Sequence, residues 1–313
     1  MLIDYRVTLS DAERNRLDAM TEALQAVEPE VQRLLNEHRA TSRRWYPHEI
    51  IPWGRGKDFN EIPWDPEQNT LRPEVVVALE TNLLTEDNLP YYHAKLEQTL
   101  TLGGPFKEWT QLWTSEEDNH ATCIRDYLHL MRVMDPREIE ENRLKMVQAG
   151  FERHFADPFE IFAYTAAQEL ATRISHLRAG QRADEPIILK ILTLIARDEN
   201  FHFVFYRSVA KALIEVAPEL MLIAIANQLY SFEMPGTGMT NFELRKATIA
   251  DAGIYGAREH RDMVIAPLLR YWDLDKLTGL SPEAEKTRDR ILRLENVLTR
   301  MVERQERRAR KTD

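Results

Sequence analysis

A single cysteine, Cys123, stands among 313 residues, so no internal disulfide can brace the chain. With only 11 glycines and 15 prolines the sequence is poor in turn formers, which argues against a fold built from many short strands. No apolar run is long enough for a membrane helix; one of the most apolar, Ile187–Ala196, is short and carries Lys190. The opening MLIDYRVTLSDAERN lacks the basic-then-apolar pattern of a signal peptide, and with the lone thiol it sets the expectation of a cytoplasmic protein. Positive charge is in deficit, 41 Lys and Arg against 51 Asp and Glu, giving −10. That balance speaks against general nucleic-acid affinity. The basic finish RQERRARKTD is expected to be a solvated or frayed helix end over 304–313.

What is present is helical periodicity. Leu17, Met20, Leu24, Val27, Val31 and Leu34 predict a helix from Ser10–Asp11 to about His38, with Pro29 as a kink. Residues 41–72 lose that period at Pro47, Pro52, Gly54, Gly56, Pro63 and Pro66, and read as an irregular crossing segment rich in aromatics. Further helices are expected over 73–102 with a kink at Pro90, then 105–134, 136–150, 158–180, 186–215, 218–232, 241–258, 259–272 and 282–309. No useful strand alternation appears. The expectation is an all-α chain forming one domain over 1–313.

Two short motifs carry chemistry. SEEDNHA contains Glu117-x-x-His120, and RDENFHF contains Glu199-x-x-His202. Residues three apart share a helix face, so each pair can hold one metal ion. Either pair alone is more economically a solvated helix face. The wider spacing changes that balance. Glu86 lies 31 residues before Glu117, and Glu169 lies 30 before Glu199. Two consecutive helical hairpins then bring Glu, Glu-x-x-His, Glu and Glu-x-x-His to one level of a four-helix bundle, the pattern of dinuclear carboxylate proteins. Four carboxylates in one core repel one another, and two divalent ions neutralise them. Carboxylate and imidazole donors suit iron or manganese.

At these residues the chain resembles the soluble acyl-acyl carrier protein desaturases, a ferritin-like family. The family's E-E-N-R-H stands here as Glu-Glu-Asp-Asn-His at 116–120, and its D-E-K-R-H as Asp-Glu-Asn-Phe-His at 198–202. TEDNLPYY, QELATRISH and DKLTGLSPEAEKTRD are also similar to family segments. Asn119 and Phe201 depart from it, standing where the plant motif has Arg. The resemblance implies a ferritin-like bundle with two iron ions, one held by Glu86, Glu117 and His120, the other by Glu169, Glu199 and His202, with two of the Glu bridging. It implies O2-dependent insertion of a cis double bond into an acyl chain on acyl carrier protein, with electrons from a ferredoxin, in a homodimer. It places Thr172 near the oxygen site and Asp198 with Trp53 on an electron route through His120. Arg43, Arg44, Arg55 and Lys57 are candidates for meeting the acidic carrier.

The ligand set alone leaves other uses open: a hydroxylase or other oxygenase, a ferroxidase-type bundle, a radical-generating reductase subunit, or a metal-free relative. Against the radical subunit, Ile124 stands four residues after His120, where such chains commonly place tyrosine.

Overall fold

A computed structural model describes residues 10–236 and 238–309. Among them there is no strand, and the fold is all-α. Thirteen helical segments are named here: α1 Asp11–Thr41, α2 Pro73–Glu86, α3 Leu89–Thr99, α4 Gly104–Leu130, α5 Pro136–Ala149, α6 Pro158–Ala183, α7 Pro186–Val216, α8 Pro218–Tyr230, α9 Phe242–Asp251, α10 Ala257–Glu259, α11 Ala266–Trp272, α12 Pro282–Leu292 and α13 Leu294–Ala309. A π-helical turn, His260–Ile265, joins α10 to α11.

The helix starts follow local chemistry. Proline occupies the first turn of α2 through α8 and of α12, where its missing N–H is no loss. Asp157 caps α6 by accepting the Glu160 N–H at 3.1 Å, and Glu185 caps α7 by accepting the Ile188 N–H at 2.8 Å. Ser10 and Glu13 form a reciprocal capping box at α1.

Four elements differ from the periodicity. The expected helix over 73–102 is two helices, because α2 stops at Glu86. Pro90 explains the stop: its ring excludes the carbonyl four residues earlier, which is that of Glu86. The helix expected over 241–258 ends at Asp251, ahead of Gly253 at φ +68°. The expected 282–309 helix breaks at Arg293. Pro29 is accommodated inside α1, which runs on to Thr41. Between α1 and α2 the chain makes only three short 3₁₀ turns, at Pro47–Glu49, Trp53–Arg55 and Pro66–Gln68. Of the basic tail, 304–309 continue α13, and 310–313 lie outside the described residues.

α2, α4, α6 and α7 form the central bundle, with α6 and α7 sharing the most extensive helix contact. Gly180 permits that closeness, since a Cβ there would meet the Leu192 Cβ at 3.2 Å. α1 covers α7 and α4, α8 covers α6, and α9 covers α2. Two apolar cores fill the bundle. One contains Phe106, Trp109, Phe159, Phe162, Phe205 and Val209; the other contains Leu79, Leu83, Ile124, Leu128, Ile191 and Ile195. α4 and α6 pass from the first core into the second, whereas α2 starts in the second and α7 runs from the second to the first. Neighbouring helices are therefore antiparallel. Each buried aromatic or aliphatic side chain contributes about 1.5–3 kcal/mol. These apolar layers hold the four helices against the polar level between them.

Candidate metal centre

That polar level contains the six expected ligands, all buried. Glu86 ends α2, Glu117 and His120 face inward from α4, Glu169 from α6, and Glu199 and His202 from α7. They form two overlapping groups. Glu86, Glu117, His120 and Glu199 offer ligand atoms within 4.8 Å of one another, as do Glu117, Glu169, Glu199 and His202. Glu117 and Glu199 belong to both groups, whereas Glu86 and Glu169 each belong to one.

The imidazoles are oriented to match. His120 Nδ1 lies 3.5 Å from Glu117 Oε2 and 3.5 Å from Glu199 Oε1. His202 Nδ1 lies 2.9 Å from Glu117 Oε1 and 3.6 Å from Glu169 Oε2. Their other nitrogens face outward to carboxylates: His120 Nε2 is 3.6 Å from Asp198 Oδ2, and His202 Nε2 is 2.9 Å from Glu116 Oε2. For His202 the hydrogen-bonded acceptor behind Nε2 keeps a proton there, and both rings turn Nδ1 inward. Asp198 and Glu116 each precede a ligand Glu in sequence, and each reaches the His of the opposite helix. The paired acids at 116–117 and 198–199 were the available signal for Glu116, which sequence reasoning left without a role.

Burial makes the electrostatics severe. Burial, then the Glu117 and Glu199 carboxylates, push Glu86 well above the usual carboxylate range. Burial and Glu199 do the same to Glu169. Burial also opposes ionisation of Glu117, but His120 and then His202 hold it well below that range. Both imidazoles are raised well above their ordinary value by the surrounding carboxylates, although burial works against this. Thus the protein alone balances the level with protons. Glu169 Oε2 and both ring nitrogens of His120 are nonetheless buried without a hydrogen-bond partner, and Glu117 Oε1 and His202 Nδ1 have only each other, at 2.9 Å. Each such group costs about 1–3 kcal/mol if left unpaired. Inward, unsatisfied O and N donors with four carboxylates to neutralise fit two divalent ions.

The remaining expected residues divide. Thr172 Oγ1 lies 2.8 Å from Glu199 Oε2, while staying within 3.0 Å of the Glu169 carbonyl one turn earlier. Asp198 is buried against His120 as expected, but Trp53 is not its partner. Trp53 is 50% exposed in a 3₁₀ turn, and the indole that donates to Asp198 Oδ2, at 2.6 Å, is that of Trp45. Trp45 also stacks over His120, with the planes 10° apart, and its carbonyl accepts from Asn119 at 2.9 Å. The turns at Pro47–Glu49 and Trp53–Arg55 carry the chain away after Trp45, leaving Trp53 at the surface. Phe201 packs edge-on against His38, which in turn contacts Glu116 at 3.0 Å.

A cavity of about 60 Å³ reaches the centre at Glu86, Glu117 and Thr172. Its walls are mainly apolar and aromatic, including Tyr92, Trp113, Phe151, Phe155, Ile161 and Tyr164. Lys95 is the basic residue in its lining. Arg43, Arg44, Arg55 and Lys57 do not line it; Arg44 borders a separate groove with His38 and Glu116.

A helical bundle with two Glu and two Glu-x-x-His contributions at one buried level is compatible with a dinuclear carboxylate site. The chain belongs to the fatty acid desaturase family, whose model matches residues 19–313. It is 36% identical over 279 residues to the putative acyl-[acyl-carrier-protein] desaturase DesA1 of Mycobacterium tuberculosis, covering 86% of this chain and 82% of that one. It is 30% identical over 288 residues to the chloroplastic stearoyl-[acyl-carrier-protein] 9-desaturase of Ricinus communis, covering 85% and 72%. The solved structure of the putative acyl-ACP desaturase DesA2 from Mycobacterium tuberculosis shares the fold at a TM-score of 0.70 and 24% identity, covering 85% of this chain and 99% of that one. The enzyme class is that of a fatty acyl desaturase, on a ferritin-like bundle.

Proposed function

We propose that the protein is an O2-dependent di-iron desaturase that inserts a cis double bond into an acyl chain carried on acyl carrier protein. The observation that carries this reading is the junction of the two ligand groups with the apolar cavity. Glu86 and Glu117 belong both to the metal level and to the cavity wall. An acyl chain entering that cavity meets the centre side-on, at a depth set by Ile161, Tyr164 and Trp113.

Glu86, Glu117, His120 and Glu199 would hold one iron; Glu117, Glu169, Glu199 and His202 would hold the other. Manganese suits the same donors less well for this chemistry. The bound pair supplies the O2 reduction and C–H oxidation that side chains cannot perform. The chain's own contribution is position and dryness. Apolar walls exclude water and hold the substrate's methylenes. The Thr172 hydroxyl, in the cavity wall and 2.8 Å from Glu199 Oε2, is the protic group we assign to the reacting face. Asp198 fixes the His120 ring, and the contact from Trp45 through Asp198 to His120 supports an electron path from a ferredoxin-type donor. Carrier binding is supported by the names of the relatives, with Lys95 at the cavity as the basic contact. We place the reaction in the cytoplasm, in a homodimer. Among the described residues, no helix is long and apolar enough to cross a membrane.

The test is metal analysis joined to product analysis. Wild-type protein should bind two iron ions per chain and yield a mono-unsaturated acyl product, and Glu117→Ala should lose both. An iron-free wild type, or conversion unaffected in Glu117→Ala, would refute the proposal.

A further inference from the structure

A third buried histidine shares the metal level without belonging to either ligand group. His176 lies on α6, two turns beyond Glu169 and one beyond Thr172, and is 1% exposed. Its Nε2 is 3.1 Å from Glu86 Oε1 and 3.9 Å from Glu199 Oε1, so the hydrogen bond is to Glu86. Its Nδ1 is 3.1 Å from Asn82 Nδ2. Asn82 is on α2, one turn before Glu86, and its Oδ1 lies 3.5 Å from the Ser175 hydroxyl. All four side chains are buried.

These contacts assign the tautomer. The Asn82 amide donates to Nδ1, so that nitrogen is bare and the ring's proton sits on Nε2, facing Glu86 Oε1. The contrast with the other two histidines is informative. His120 and His202 turn Nδ1 toward the ligand carboxylates and Nε2 away from them, toward Asp198 at 3.6 Å and Glu116 at 2.9 Å, so Nδ1 is the nitrogen that can ligate once it gives up its proton. His176 has a donor behind Nδ1, so an N–H faces the centre. The backing group therefore decides which rings can ligate and which can only donate.

Glu86 is the last residue of α2. With Oε1 occupied by His176, Oε2 is the oxygen left for the inner group, 4.0 Å from His120 Nδ1. On the other side of the level, the Trp113 indole donates to Glu169 Oε1 at 3.0 Å. Glu86 and Glu169 thus each have one N–H donor from another helix.

We propose that His176, held in one tautomer by Asn82, is a positioning residue that fixes the Glu86 carboxylate toward the ion shared with Glu117, His120 and Glu199. This inference rests on the metal reading of the site and adds a selective prediction to it: His176 acts on one ion of the two.

The experiment is an anaerobic titration of the metal-free full-length protein with Fe(II), and in parallel with Co(II) followed by visible absorption. Wild type should take up two ions per chain. His176→Ala should weaken one ion by about 10–100-fold and leave the other within a few-fold. Its Co(II) spectrum should lose the contribution of one site. His176→Gln, which can still donate to Glu86, should recover most of the affinity. Trp113→Phe should weaken the other ion, so that the double variant lacks both tight sites. Circular dichroism and thermal unfolding of the metal-free variants verify that each is folded. Two ions bound by His176→Ala as tightly as by wild type would overturn the inference alone. Equal weakening of both ions, or a His176→Gln variant no better than Ala, would also overturn it. A wild type that binds neither ion would overturn the metal reading as well.

Discussion

Loading the centre with metal should expel protons, and the number follows from the burial of the ligands. In the metal-free protein Glu86 and Glu169 are raised well above their ordinary value of 4.5, and His120 and His202 well above 6.5. These shifts favour the protonated forms of the four, and the ionised forms of Glu117 and Glu199. The level is then neutral: two carboxylates against two imidazolium rings. Two divalent ions with four carboxylates and two neutral imidazoles are also neutral. Each ion must therefore displace about two protons, or about four per chain. The sign follows by linkage. The metal-free fold binds more protons than the metal-bound one, so metal affinity rises with pH, by about a hundredfold per unit for two protons released. The same groups make the metal-free fold lose stability as pH rises through their elevated values. Calorimetric titration with Fe(II) or Mn(II) near pH 7, in buffers of different ionisation enthalpy, counts the protons directly. Release of fewer than about one proton per ion would refute the electrostatic account of the site.

Three further outcomes are expected. Trp45→Phe keeps a ring over His120 but removes the donor to Asp198, a charged partner still held by Arg197 at 3.1 Å. It should lower the unfolding free energy by about 1.5–2 kcal/mol in denaturant titration, whereas Trp53→Phe should change it by less than about 0.5 kcal/mol; equal effects would contradict the pairing. His260, stacked on Phe232 and hydrogen-bonded to Tyr255, is lowered by burial to about 4. The unfolded chain takes up that proton between 6.5 and 4, so the associated stability is present above pH 6.5 and lost as pH falls towards 4. The stability difference between wild type and His260→Phe should shift by about 3 kcal/mol across that window; a constant difference would show that His260 is not held neutral. The Cys123 thiol is pushed up to about 12 by burial and Asp126, so iodoacetamide at pH 8 should label it only after denaturation; rapid labelling of the native protein would contradict its packing.

The parts of the centre legible in the sequence were those written in local spacing. Glu117-x-x-His120 and Glu199-x-x-His202 each lie on one helix face, and the proline-led starts of α4, α6 and α7 locate those helices. The second copy of the pattern supplied Glu86 and Glu169. What was not legible depends on contacts across helices or on a segment without period. Trp45 and Trp53 lie in the same irregular stretch, and only the course of its turns shows which indole reaches Asp198. Glu116 reads as the outward neighbour of a ligand until α7 is placed beside it. His176 lies inside a recognisable segment, yet its role comes from Asn82, 94 residues away. Pro90 was legible as a kink, but the kink is a full stop of α2 at Glu86 with a new helix from Leu89.

The most direct test of the account is mass spectrometry of the acyl chain after iron-loaded protein is incubated with a panel of acyl-acyl carrier proteins, O2 and reduced ferredoxin. The account predicts the loss of two hydrogens at one position along the chain, abolished in Glu117→Ala. A product that has gained an oxygen atom, or acyl chains unchanged by protein that binds two irons, would contradict it.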